Sequence, residues 1–310
     1  MNGMNIGLKL NKLGREDLIF KYEVDNYDDL VLHNNFLLSK LSKFHADCKL
    51  PNTLRYLTDV EQNNSIDAIK NGKTEFKEED VIYNVNELGY RTNNPISGMK
   101  NAVGVFGCSF TFGVGVPDEN LCTTILERYM GQPVYNFGIP GGGIQKLTKS
   151  FTSINSLYKL KTAVFIIPSF YRYEFISSPN KNLIDQTDFI PNYKPTDKRG
   201  IENFDSIYSA FDNVTFLNEL SKHLNLIKMS AKLNGTDVYF TTWCRDTINL
   251  IDKYKVEKFQ TQVFFTESFE QIMGKKVTDF ARDGLHPGVR THMEVANSMY
   301  SFITAKPKLI

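Results

Sequence analysis

Ser109, Asp283 and His286 are the residues whose types and spacing could carry nucleophilic chemistry. Ser109 stands in Val103-Gly104-Val105-Phe106-Gly107-Cys108-Ser109-Phe110-Thr111-Phe112-Gly113, where an uncharged run breaks at a glycine and a small hydroxyl residue follows. Such a run reads as a buried strand of a parallel sheet. A serine just past its end lies at the carboxyl edge of the sheet, where open α/β folds keep their active sites. Glycine and serine also mark ordinary turns, so the stretch alone does not separate a nucleophile from a loop. Asp283-Gly284-Leu285-His286-Pro287 supplies a base. A carboxylate three residues before an imidazole can hold one ring nitrogen and leave the other to take a proton from a serine hydroxyl. The plainer alternative is a helix-entry turn, with Asp283 capping nearby amides and His286 on the surface.

These residues need elements to bring them together. From Asn101 onward, strand and helix patterns alternate. Helices are expected over 120–130, 144–159, about 205–233, 247–258 and after Pro287, with Val295, Met299 and Phe302 facing inward. Strands are expected at 134–137, 162–168, 237–242 and, as a short edge, 263–265. This alternation predicts a mostly parallel, three-layer α/β sandwich. A long aromatic and polar loop covers roughly 171–200, and loops of that length inside compact domains tend to be functional. Residues 1–95 read differently and are taken as a smaller mixed α/β extension. It has helices near 34–48 and from about 53 to 70, then a strand and turn over 81–91. The catalytic domain is taken as 96–310.

Composition narrows the function classes. The 310 residues carry a formal net charge of +1 and are 41% hydrophobic, which gives no general attraction to nucleic acid or anionic membrane. No apolar run approaches the roughly 20 residues of a membrane helix. The first residues lack the pattern of a signal peptide, so a cytoplasmic location is expected, with virion association or release by lysis as the alternative. Cys48, Cys108, Cys122 and Cys244 are scattered without a C-x-x-C pair, which argues against zinc. No cofactor and no metal are expected.

Gly107-x-Ser109-x-Thr111-x-Gly113, Asn136-x-Gly138-x-x-Gly141 and Asp283-x-x-His286 occur in that order. The ordered set, over about 100–300, resembles the SGNH (GDSL-type) hydrolase superfamily. The resemblance implies a flavodoxin-like sandwich with a five-stranded parallel sheet, and an activity on esters or thioesters, including acetylated sugars. By the same resemblance Ser109 is the nucleophile, His286 the general base and acid, and Asp283 its orienting partner. The backbone N–H groups of Ser109 and Gly141 would hold the oxyanion. The family's Gly-x-Asn-Asp block is absent: Ile167 is followed by Pro168-Ser169-Phe170-Tyr171-Arg172, leaving Ser169 as the nearest substitute donor. Losing one such donor costs about 3–4 kcal/mol. Asn86-Glu87-Leu88-Gly89-Tyr90-Arg91 resembles a segment that precedes the catalytic domain in some sugar-acyl-modifying members; read alone it is a β-turn with Gly89 at positive φ.

Tyr171, Arg172 and Trp243 are candidate substrate contacts, because the first two open the long loop and Trp243 follows a strand at the same sheet edge. His292, six residues after His286, reads as a helix-surface residue. The expected function is hydrolysis of a carboxylic ester, an acyl group on a carbohydrate, through an acyl-enzyme on Ser109. The partner is a small-molecule or glycan ester, not nucleic acid or membrane, and the oligomeric state is left open. The alternatives are an O-acyltransferase using the same triad and a non-catalytic glycan-binding or structural protein, such as a phage virion component, that kept the fold.

Overall fold

The computed structural model describes residues 52–55, 81–86, 88–169, 172–176, 184–188, 213–244, 247, 279–282 and 286–305. In chain order, β1 (Asn52–Arg55) and β2 (Ile82–Val85) pair antiparallel. Then come β3 (Val103–Gly107), α1 (Ser109–Phe112), α2 (Cys122–Met130), β4 (Val134–Gly138), α3 (Ile144–Tyr158) and β5 (Thr162–Ile167). An antiparallel pair, β6 (Arg172–Ile176) and β7 (Ile184–Asp188), precedes α4 (Asn213–Asn234), β8 (Asp237–Thr242) and α5 (Val289–Ala305).

β3, β4, β5 and β8 form one parallel sheet in the order β4-β3-β5-β8. Side-chain alternation sorts each strand between two layers. Val103, Val105, Val134, Val164 and Ile166 pack with α2 and α5, whereas Phe106, Phe137, Phe165 and Phe240 pack with α3 and α4. The architecture is thus the expected three-layer α/β sandwich. Four phenylalanines lie in register across it: Phe106 pairs with Phe137 and with Phe165, and Phe165 pairs with Phe240. Their rings stack at centroid separations of 4.7, 5.0 and 5.3 Å. Burying one such ring contributes roughly 2–3 kcal/mol, and a slip by one residue would send the ring to the opposite face.

The winding places the site. From β3 the chain crosses through α2 to β4 on one side, then returns through α3 to β5 on the other. α2 and α3 lie on opposite faces of the sheet. The carboxyl end of β3 is therefore the point where strand order reverses, and such a point opens a crevice. Ser109 follows it.

Some expectations need correction. Residues 52–55 form a strand on the edge of β2, not the first turn of a helix, because β-sheet pairing with the alternating Ile82–Val85 run overrides a poor helical period. The expected loop over 171–200 contains the β6–β7 hairpin. The sheet has four strands among the described residues. The fifth expected strand at 263–265, the helix near 34–48, and all but the first residues of those expected over 53–70 and 247–258 lie outside them.

Candidate active site

β3 ends at Gly107, Cys108 is extended (φ −96°, ψ −152°), and Ser109 is the first residue of α1. A Cβ on Gly107 would stand 1.9 Å from Thr111 Oγ1, so this abrupt strand-to-helix bend requires glycine. The helix closes at Gly113 (φ 80°), whose N–H donates to the Ser109 carbonyl at 2.9 Å. As the first amide of a helix, the Ser109 N–H has no intrahelical acceptor. Ser109 itself is 8% exposed.

The Asn136-Gly138-Gly141 stretch braces this bend. Asn136 Nδ2 donates to the Thr111 carbonyl at 2.9 Å, while its Oδ1 accepts the Gly138 N–H at 2.9 Å. A Cβ on Gly138 would fall 2.2 Å from the Phe112 nitrogen, so the end of β4 lies directly against α1. The Ile139 N–H donates to the Gly107 carbonyl at 2.8 Å. Ile139 to Gly142 then form a turn closed by a 2.7 Å hydrogen bond from Gly142 N–H to the Ile139 carbonyl. Pro140 takes its second position and Gly141 (φ 69°) its third, as a type II turn demands. Gly141 is exposed at its tip.

His286 arrives on the turn that enters α5. Its carbonyl accepts the Ala281 N–H at 2.7 Å, and Phe280 bridges Pro287. Asp279 Oδ2 accepts the Thr291 N–H at 2.7 Å and so caps α5. The Arg282 N–H donates to the Gly115 carbonyl at 3.1 Å, tying this turn to the segment that follows α1. The His286 ring meets Phe110, the residue after Ser109, with centroids 5.8 Å apart. On its other contact Phe110 stacks flat on Trp243 at 4.4 Å, and the Arg172 guanidinium lies 5.6 Å over the Trp243 ring. Ser169, half-buried just beyond β5, accepts the Arg172 N–H on its carbonyl at 3.1 Å. Of the candidates read from the sequence, His286, Trp243 and Arg172 thus meet in one cluster around Phe110, the residue that follows Ser109 in the chain, whereas Asp283 and Tyr171 lie outside the described residues.

His292 corrects the surface reading. It is 3% exposed, and its Nδ1 accepts the Cys122 N–H at 3.0 Å. It caps α2, whose preceding residue Leu121 offers no side-chain cap. Burial foremost, then the charges of Arg91 and His286, push its pKa down to about 3, so the ring is neutral at physiological pH. With Nδ1 accepting, the proton sits on Nε2, which is buried and has no hydrogen-bond partner among the described residues. The sequence held the signal: His292 stands three residues before Val295 and seven before Met299, on the stripe already assigned to the core. Arg91 is the other group not foreseen as bearing on the site. It is fully buried beside α1 and binds the Phe112, Gly113 and Val116 carbonyls. Among the described residues, no group of three His, Cys, Asp or Glu could hold a metal, and no helix is long and apolar enough to cross a membrane.

No family model and no curated protein matches this chain. Among solved structures it is similar to a putative lipolytic protein of the G-D-S-L family from Desulfitobacterium hafniense, at 13% identity and a TM-score of 0.41, covering 65% of this chain and 98% of that one. It is also similar to a putative GDSL-like lipase from Bacteroides ovatus, at 12% identity and a TM-score of 0.33, covering 74% of this chain and 57% of that one. A mutant acetyl-xylooligosaccharide esterase from Geobacillus is similar at 15% identity and a TM-score of 0.28, covering 65% and 93%. The likeness is one of fold.

Proposed function

We propose that the protein is a serine ester hydrolase. The observation that carries this reading is the packing of the His286 imidazole against Phe110, beside Ser109, at the strand-order reversal of a parallel sheet. Ser109 Oγ attacks the acyl carbon and passes its proton to His286. The negative oxygen of the tetrahedral intermediate is held by the Ser109 and Gly141 amides, with the Ser169 hydroxyl as the nearest further donor. Collapse expels the alcohol, which takes the proton from His286. Water, activated by the same imidazole, then frees the acid from the acyl-enzyme. Asp283, three residues before His286, orients the ring.

The ester is an acyl group on a carbohydrate. The half-buried Phe110–Trp243 stack carries the Arg172 guanidinium 5.6 Å over its indole, and guanidinium and indole N–H groups are donors suited to sugar hydroxyls. Two buried polar groups nearby have no hydrogen-bond partner among the described residues: Trp243 Nε1 and the carboxamide of Gln145 in the first turn of α3. A substrate hydroxyl would satisfy the indole N–H.

The test is release of p-nitrophenol from p-nitrophenyl acetate together with covalent labelling by a fluorophosphonate. Ser109→Ala should lose both while keeping the wild-type melting temperature. A wild-type protein that neither turns over the ester nor takes up the label would overturn the reading. Labelling with acyl transfer to an added glycan, but none to water, would replace hydrolysis by transfer.

A further inference from the structure

Arg91 is fully buried, and its guanidinium spends all five N–H donors. Nε and one terminal nitrogen bind Asp118 Oδ1 at 2.8 and 2.6 Å. The remaining donors go to three backbone carbonyls: Phe112 at 3.0 Å, Gly113 at 2.5 Å and Val116 at 2.5 Å. The Tyr83 ring lies 4.1 Å under the cation, and the Phe112 ring 5.4 Å from it. Asp118 is fixed in turn, since its Oδ2 accepts the backbone and side-chain N–H groups of Asn84 at 3.1 and 2.6 Å.

What this cation grips is the turn between the two proposed catalytic groups. At one end, the Gly113 and Val114 amides donate to the Ser109 carbonyl at 2.9 and 3.2 Å. In the middle, the Gly115 N–H donates to the Tyr83 hydroxyl at 2.9 Å, and the Gly115 carbonyl accepts the Arg282 N–H at 3.1 Å. Ala281, next to Arg282, donates to the His286 carbonyl. Gly113 and Gly115 both have positive φ, so glycine shapes the turn, and its two other residues, Val114 and Val116, bury their side chains. The segment that carries Tyr83 and Arg91 binds the turn's backbone polar groups from outside.

We infer that Arg91 and Tyr83 are positioning residues that set the distance between Ser109 and His286 through the Gly113–Val116 turn. The inference rests on the esterase reading, and it assigns residues 81–91 a part in activity and not only in packing. Only a planar fork reaches three carbonyls and a carboxylate at once, so lysine, a compact cation with three donors on one atom, cannot replace Arg91.

Tyr83→Phe is the decisive variant, because it removes one hydroxyl and leaves the ring under the cation. It should keep KM within about twofold and lower kcat on the order of tenfold, since sub-ångström misplacement of reacting groups acts on the chemical step. Fluorophosphonate labelling of Ser109 should slow in parallel. Arg91→Lys should show the larger loss in kcat. Amide hydrogen exchange supplies a readout independent of turnover: in Tyr83→Phe, protection should fall in peptides covering 113–116 and also in those covering 279–288. Unchanged kcat, or exchange that rises at 113–116 alone, overturns the inference. If the wild type proves inactive and unlabelled, the esterase reading falls and the exchange experiment decides the coupling by itself.

Discussion

His292→Gln should make the protein less stable at pH 7 yet less sensitive to acid. Folded, the imidazole has a pKa of about 3; unfolded, it returns to its ordinary value near 6.5. Between those values the unfolded chain binds one more proton than the folded one. Stability linked to His292 is therefore complete above about pH 6.5 and is lost as pH falls toward 3, at about 1.4 kcal/mol per pH unit. From pH 6.5 to 5 the loss is about 2 kcal/mol. Glutamine does not titrate, and its oxygen can still accept the Cys122 N–H, so the poorer cap costs about 1 kcal/mol. Urea unfolding of both proteins at pH 7, 6 and 5 measures the comparison. Acid effects from carboxylates common to the two chains cancel in the difference. The gap of about 1 kcal/mol at pH 7 should close and reverse before pH 5. Parallel loss of stability by the two proteins would refute the buried, neutral assignment.

Two further outcomes test the site's scaffolding. Gly138→Ala places a methyl 2.2 Å from the Phe112 nitrogen, so α1 must move; esterase activity should fall on the order of a hundredfold, and retention of wild-type kcat would show that α1 tolerates the shift. Trp243→Ala removes the indole N–H and the ring stacked on Phe110 and should raise KM for an acetylated oligosaccharide roughly two- to tenfold, leaving kcat on p-nitrophenyl acetate nearly unchanged; equal effects on both esters would remove the sugar-contact role.

The parallel sheet and its helices were legible in the sequence because apolar strands bounded by glycine or proline and helices with clean stripes follow local rules. β3, β4, β5 and β8 stand within a residue of where periodicity puts them. The turns that carry the candidates Ser109 and His286 were legible for a different reason: each is marked by glycine or proline. The β6–β7 hairpin was not, since its pairing depends on a partner in the same polar stretch rather than on an apolar alternation. Arg91 was missed as well. A charged residue after a turn is normally solvated, and nothing local announces that three carbonyls and a carboxylate will converge on it. His292 fell to a similar bias, being polar at a position that the apolar stripe of α5 claims.

The row of stacked rings from Phe137 to Phe240 has a consequence for engineering. Phe106 is the residue before Gly107, so the row lies one step below the rim that carries Ser109. An aromatic row at that depth ties the four strands together and to α3 and α4 just below the rim. Loops above it can lengthen, shorten or exchange residues without disturbing strand alignment. Grafting experiments that swap the segments after β5 and β8 therefore have a natural cut line just above those phenylalanines.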